Sequence, residues 1–265
     1  MFRSVFTKTL YDKRWMIFGW SIGLAIMNGV NMIFYPSFAN SSQYTELLNQ
    51  MPPELKALVG QSLNFAKIEG YTNSQVFALN LPLLFIILAI MYYSATLAGE
   101  EDRGTLATLL AQPISRTKVL VHKYLAGIVV LAIVSLASWL GLIGAIAAIN
   151  YDISLTYTLA ATLQAATMAL VFGSMAYAIG ALTGRRSLAV SIPTVLAVAS
   201  FFLYSLAAGV KALEPYRVLS VFYYYNKTNV LEAGPNYTTL AGFVVISAVL
   251  LAIAWLGFRK RDIRG

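Results

Sequence analysis

The amino-acid sequence predicts an all-α, polytopic membrane protein with six transmembrane helices. Hydrophobic side chains make up 58 % of its 265 residues and charged side chains only 11 %, whereas soluble domains contain about 45–50 % apolar and about 25 % charged residues. Six stretches are mostly apolar over the about 20 residues needed to cross a hydrocarbon layer about 30 Å thick. None of the six contains an Asp, Glu, Lys, Arg or His, so each suits the bilayer interior.

The predicted spans are residues 15–35, 77–98, 124–149, 155–182, 188–210 and 240–258. The first of them has an alternative interpretation as a secretory signal, because it follows basic residues and precedes a Ser37-Phe38-Ala39 that resembles a cleavage site. Its apolar run is longer than the about 7–15 residues of a signal core. We therefore expect it to remain as a membrane helix.

The positive charges predict the orientation of the chain. Fourteen of the 19 lysines and arginines flank the spans on the side that carries both termini. By the positive-inside rule this side is cytoplasmic. The net charge of +8 is then a topology signal, which needs no nucleic-acid partner, and we expect a multi-pass protein of a bacterial cell membrane.

Three segments outside the spans have patterns of their own. Residues 1–14 predict an amphipathic helix in the headgroup plane, where it contacts membrane lipid. The outer loop 36–76 contains Pro52-Pro53-Glu54, which is typical of a helix start. The outer segment 211–237 carries Tyr223-Tyr224-Tyr225, and is too apolar for a free loop. We expect it to lie against the membrane or to fold back into the bundle.

Several kinds of chemistry are excluded by composition. The chain has no cysteine and one histidine, His122, which argues against thiolate or histidine metal sites and against a catalytic dyad. We therefore expect no catalytic and no metal-binding residues. It also contains no Gly-x-x-x-x-Gly-Lys-[Ser/Thr] phosphate loop. We expect this chain not to be an enzyme, so that another polypeptide supplies the energy of any uphill transport.

The inner loop, residues 99–118, is anomalous for a cytoplasmic connection. It carries three consecutive acids at 100–102, where lysine and arginine are usual. A short helix should follow, with Leu106, Leu109 and Leu110 on one face; Pro113 should end it and Ser115 should cap the next helix. Such a leucine face could dock into a partner's groove or rest on the lipid surface, and spacing alone does not decide between the two.

The inner loop closely resembles the motif of the type-2 ABC export permeases. The residues concerned read Gly-Glu-Glu-Asp-Arg-Gly-Thr-Leu-x-x-Leu-Leu-x-x-Pro-Ile-Ser-Arg from position 99, between spans two and three as in that family. Gly70-Tyr71 before span two and Tyr223-Tyr224-Tyr225-Asn226 before the last span extend the resemblance to essentially the whole chain.

The resemblance implies a single transmembrane permease domain over residues 1–265. Residues 1–14 would be its elbow helix, 36–76 its outer loop, 99–118 its coupling loop and 211–237 its outer re-entrant loop. A second copy of the permease and two cytoplasmic ABC ATPase subunits would be its partners, with ATP and Mg bound by those subunits and no cofactor in this chain. The coupling residues would be Glu100, Glu101, Arg103, Gly104, Thr105, Leu106, Leu109, Leu110, Pro113, Ser115 and Arg116.

The acids of this loop are expected to form partly exposed pairs with basic groups of the ATPase or of the cytoplasmic helix ends. By resemblance, spans two and five would wall the substrate path. The residues they offer there are Phe85, Met91, Tyr92, Phe201, Phe202 and Tyr204. Such aromatic and methionine surfaces suit an amphipathic or hydrophobic small molecule or a lipid, although each residue could equally face lipid or a neighbouring helix. The alternatives are a self-contained secondary transporter or channel and a structural subunit without a transport path.

Overall fold

The structure, a computed structural model, describes residues 4–39, 52 and 67–261. In these ranges the regular elements are helices. They run in the order α1 (Val5–Asp12), α2 (Arg14–Ile33), α3 (Tyr35–Ala39), α4 (Ile68–Thr72), a π-helical turn (Asn73–Phe77), α5 (Asn80–Thr96), α6 (Ala98–Asp102), α7 (Thr105–Leu110), α8 (Arg116–Ala148), α9 (Leu155–Thr183), α10 (Arg186–Ala207), a 3-10 turn (Glu214–Leu219), α11 (Val221–Tyr225), α12 (Val230–Ala233) and α13 (Tyr237–Lys260).

The predicted all-α membrane fold is confirmed. Six helical segments of the described chain are long and apolar enough to cross a membrane, and each contains or overlaps one predicted span. They are Arg14–Ser37, Ile68–Thr96, Arg116–Ala148, Leu155–Thr183, Arg186–Ala207 and Tyr237–Lys260. The third spanning helix, α8, begins at Arg116, eight residues before the predicted 124, because Ser115 caps its N-terminus.

The segment predicted as the outer loop 36–76 is helical at its carboxyl end. Helix begins at Ile68 and continues through the π-helical turn. Tyr71 is buried there, and its hydroxyl donates to the carbonyl of Asn31 at 2.9 Å. The polar residues at 73–75 hid this helix from a hydropathy pattern. The helix expected after Pro52-Pro53 lies outside the described residues.

Helices α5 and α9 form the centre of the bundle. Helix α9 packs against α5, α10 and α13, whereas α2 packs mainly against α8. Small residues permit these contacts: a Cβ at Gly141 would lie 2.5 Å from the Cα of Ala25, and one at Gly127 would lie 2.5 Å from Cζ of Tyr93. Both distances are shorter than real Cβ contacts, so helix approach depends on glycine at these positions.

Two tyrosines of α5 lie in this core. Tyr92 and Tyr93 are typical of residues that anchor a helix at the membrane surface, but both are buried. Their hydroxyls donate to the carbonyls of Lys123 and Tyr124 in α8, each at 3.1 Å. A buried hydroxyl needs such an acceptor, and these two bonds fix α5 against the first turns of α8.

Candidate functional site

The inner loop folds as two short helices at the end of the bundle that we call the inner end. Helices α6 and α7 meet at Gly104, whose φ of +71° is in the left-handed region. Glycine adopts this conformation without the cost that a side chain adds. The predicted cap is confirmed, since Ser115 Oγ accepts from the N–H of Lys118 at 3.3 Å. Helix α7 ends at Leu110, three residues before Pro113.

Glu100 holds the loop to α8. It forms an ion pair with Lys123, whose side chain is only 3 % exposed and which also donates to the carbonyl of Thr96 at 3.1 Å. The attraction of the carboxylate offsets the free-energy cost of removing the Lys123 ammonium group from water, and without it most of that cost would be uncompensated. The pair therefore ties the first turn of α6 firmly to the start of α8.

Glu101 holds the loop to the end of α13. Its two carboxylate oxygens accept from both terminal nitrogens of Arg261, with Nη1 to Oε1 at 2.9 Å. The Glu101 side chain is 2 % exposed, so this bidentate pair is largely removed from water. It lies over Gly184 (φ +66°), where an added Cβ would come within 2.0 Å of Arg261 Nη1.

Asp102 reaches a third spanning helix. Its Oδ2 accepts from the backbone N–H of Arg186, the first residue of α10, at 3.4 Å. A carboxylate at a helix N-terminus is favoured by the helix dipole. Three consecutive acids thus contact three different spanning helices: α8, α13 and α10. The expectation of a partly exposed pair is wrong for Glu101, whose side chain is 2 % exposed, but not for Glu100, whose side chain is 24 % exposed. Both acids pair with basic groups at helix ends of this same chain, which is one of the two partner sites expected.

Sequence reasoning did not identify the partners of these acids. Lys123, Arg186 and Arg261 contributed to the count of positive charges, but nothing in their spacing assigned them to individual carboxylates. A local signal existed for Lys123, which is a lysine within one turn of a purely apolar span. Arg261 pairs with a residue 160 positions away, and no local pattern indicates that contact.

The leucine face of α7 points inward. Leu106 is 0 % exposed, and Leu109 and Leu110 are half-buried against the core. The expectation that these leucines face a partner is wrong for Leu106, which its own chain covers completely. For the half-buried Leu109 and Leu110, contact with a partner stays a prediction. The exposed residues of the inner loop are instead Asp102, Arg103, Gly104, Thr105, Thr108, Ala111, Gln112, Pro113, Ser115, Arg116, Thr117 and Lys118.

The six aromatic and methionine side chains expected along a substrate path do not share one environment. Phe85, Tyr92 and Tyr204 are buried inside the chain, while Met91 and Phe201 are half-buried. Phe202 is 48 % exposed. These positions do not form one continuous wall within a single chain, and their role in transport stays a prediction.

The outer segment 211–237 folds back onto the bundle, which is one of the two arrangements predicted for it. Ser200 of α10 accepts from the N–H of Val221 at 2.8 Å, and Ser220 donates to the carbonyl of Ser200 at 2.7 Å. The hydroxyl of Tyr225 donates to the carbonyl of Phe77 at 2.9 Å. Burial raises the pKa of Tyr225 well above its ordinary value, so the hydroxyl stays a donor.

A family profile described as "ABC-2 family transporter protein" matches residues 4–263, which is nearly the whole chain. No curated protein sequence is significantly similar. In the described part of the chain, no three His, Cys, Asp or Glu side chains are placed to hold a metal ion.

Proposed function

The chain belongs to the ABC-2 family of transporter proteins, and we propose that it is the permease subunit of an ATP-driven exporter. Membership makes it a multi-pass membrane subunit of an ABC transporter. Beyond that, the proposal is that two copies form the translocation path and that two separate cytoplasmic ATPase subunits bind ATP and Mg and drive it. The observation that carries the proposal is the attachment of the inner loop to three spanning helices.

This attachment suits the transmission of movement from a partner to the membrane. Removing one member of a buried ion pair costs about 3–5 kcal/mol, which is several times the thermal energy of about 0.6 kcal/mol. Glu100 and Glu101 therefore make α6 move together with the ends of α8 and α13. A push on the exposed side of α7 would be passed to those helices and, through Asp102, to α10.

The exposed side of α7 is the proposed contact with the ATPase. Thr105 and Thr108 lie on it, and Arg103 projects beside them as an unpaired cation among the described residues. A short helix with small polar residues and one charge at its head fits a shallow groove with a carboxylate at its rim. The inward leucines support this surface rather than form it.

Helix α10 supports the proposal of a dimer. It exposes an apolar face that includes Val195 and Phe202. The central helices α5 and α9 are closely packed and carry no ionisable side chain except tyrosine. A path between two copies would be lined by apolar and aromatic groups, which suits an amphipathic or hydrophobic small molecule or a lipid.

The test uses a charge placed on the exposed side of α7. Thr108→Arg should weaken association with the ATPase subunit by at least about 100-fold, because an unpaired charge buried at an interface costs several kcal/mol and each ~1.4 kcal/mol is a factor of ten. Ser187→Arg is the matched control, since Ser187 is also small, polar and exposed at the inner end. Both variants should keep the thermal stability of the wild type.

The measurement is co-purification of the ATPase, together with ATP hydrolysis by the assembled complex. Loss of both with Thr108→Arg, and neither with Ser187→Arg, is the expected result. Substrate transport by the chain without an ATPase, or unchanged association of Thr108→Arg, would overturn the proposal.

A further inference from the structure

A polar cavity of about 260 Å³ lies at the inner end, between α1, the inner loop and the first turns of α8. Its ionisable lining residues are Lys8, Asp12, Lys13, Glu100, Arg103 and Lys123. Helix α1 forms one wall because it packs against α8 through its buried Val5 and Thr9. The cavity therefore joins the helix expected in the headgroup plane to the loop expected to contact the ATPase.

The cavity carries an excess of positive charge. Glu100 and Lys123 neutralise each other in their ion pair. Lys8, Lys13 and Arg103 make no ion pair with any residue that the structure describes. Asp12 offsets one of these three charges, so that a formal charge of about +2 remains, and such a site favours an anion.

The surroundings of Lys13 disfavour its positive charge. Burial lowers the pKa of Lys13, and the positive charges of Arg103 and Arg186 lower it further, against the opposite effects of Glu100 and Asp12. A negative group placed among these cations would reduce their mutual repulsion. A phosphate has oxygens enough to accept from all three basic side chains.

An apolar groove begins two residues after Lys13. It has a volume of about 440 Å³ and runs along α2 from Trp15 to Met27. At 1.5 Å per residue this is about 18 Å, close to the half-thickness of a hydrocarbon layer about 30 Å across. Its floor includes Gly19 and Gly23, where an added Cβ meets nothing within 4 Å.

We propose that the cavity and the groove together bind one anionic phospholipid of the cytoplasmic leaflet. Its phosphate lies among Lys8, Lys13 and Arg103, and one acyl chain lies along the α2 groove. The length of the groove and its position beside the cationic cavity favour a lipid over other ligands. A free phosphate would occupy only the cavity, and a second protein helix would occupy only the groove. Since Arg103 belongs to the inner loop, bound lipid contacts the segment that we propose to couple transport to ATP hydrolysis.

The experiment measures lipid bound to the purified full-length chain, together with any subunits that co-purify, by native mass spectrometry. Phosphatidylglycerol and phosphatidylcholine with identical acyl chains are compared. We expect the wild type to prefer phosphatidylglycerol. The variant Lys8→Gln/Lys13→Gln/Arg103→Gln should lose this preference by at least about tenfold, since each basic group near an anionic lipid contributes roughly fivefold.

Two further variants complete the experiment: one is a control for charge, and the other tests the groove. Lys118→Gln/Arg185→Gln/Lys260→Gln removes the same number of charges from exposed positions at the inner end, and should keep the preference. Gly19→Leu/Gly23→Leu fills the groove, and the first atom of each new side chain meets open space, so the fold should survive. This variant should lower phosphatidylglycerol binding about tenfold without changing any charge.

Inorganic phosphate separates the two possible sources of the anion. If a lipid is the ligand, 10-fold molar excess of inorganic phosphate over phosphatidylglycerol displaces little of it, and the filled groove weakens binding. Displacement by phosphate, with no effect of the filled groove, would show a phosphate site and overturn the proposal. Equal loss of the preference for phosphatidylglycerol in the control variant would also overturn it. So would a Lys8→Gln/Lys13→Gln/Arg103→Gln variant that loses the ATPase but keeps its lipid binding. Because lipid binding is measured on the chain itself, failure of the ATPase proposal leaves this result interpretable.

Discussion

The two ends of the bundle hold their connecting segments by different chemistry. At the inner end, Glu100 and Glu101 form ion pairs in which one member, Lys123 or Glu101, is at most 3 % exposed. At the outer end, α11 is held by neutral hydrogen bonds: Ser200 accepts from a backbone N–H, and Ser220 and Tyr225 donate to backbone carbonyls. Charge holds one end and neutral hydrogen bonds hold the other.

The difference concerns how the stabilising free energy is distributed. A neutral intramolecular hydrogen bond contributes about 0.5–1.5 kcal/mol net, and α11 relies on several of them. A buried pair that loses one charge leaves the other uncompensated, at about 3–5 kcal/mol. The inner loop is therefore fixed by few contacts with large individual effects, which suits the role that we propose for it.

The largest expected effect comes from breaking the Glu101–Arg261 pair. Glu101→Leu should lower the free energy of unfolding by about 3–5 kcal/mol, because the Arg261 guanidinium would stay largely buried without its carboxylate. Thermal unfolding in detergent measures it. The double variant Glu101→Leu/Arg261→Met should recover much of the loss, and strictly additive losses would contradict a direct pair.

The Glu101–Arg261 pair could not be predicted from the sequence, whereas other features could. Six spans follow from apolar length alone, and the Ser115 cap depends on neighbours three residues away, so both were predictable. The spacing of Leu106, Leu109 and Leu110 shows that these side chains are buried but not whether their own chain or a partner covers them. Likewise, the partners of Glu100 and Glu101 are 23 and 160 residues away, and only the folded bundle brings them together.

An intermediate effect is expected at the outer end. Tyr225→Phe removes the hydroxyl that donates to the carbonyl of Phe77 and leaves that carbonyl with one partner fewer. We expect a loss of about 1 kcal/mol in the free energy of unfolding, measured under the same conditions as Glu101→Leu. A loss as large as that of Glu101→Leu would contradict the contrast between the two ends.

The smallest effect should come from Asp102, although it belongs to the same run of acids. Its carboxylate is exposed and its contact with the N–H of Arg186 is long, at 3.4 Å. An exposed charge at a helix N-terminus contributes about 0.3–1 kcal/mol and is screened by salt. Asp102→Asn should therefore destabilise the chain by less than about 1 kcal/mol at low ionic strength, and by less still at 0.5 M salt, where the Debye length is only a few ångströms. Glu101→Leu provides the comparison, because its cost should change little with salt when the pair is shielded from water. Equal costs for the two substitutions would mean that sequence position, and not burial, determines what each acid contributes.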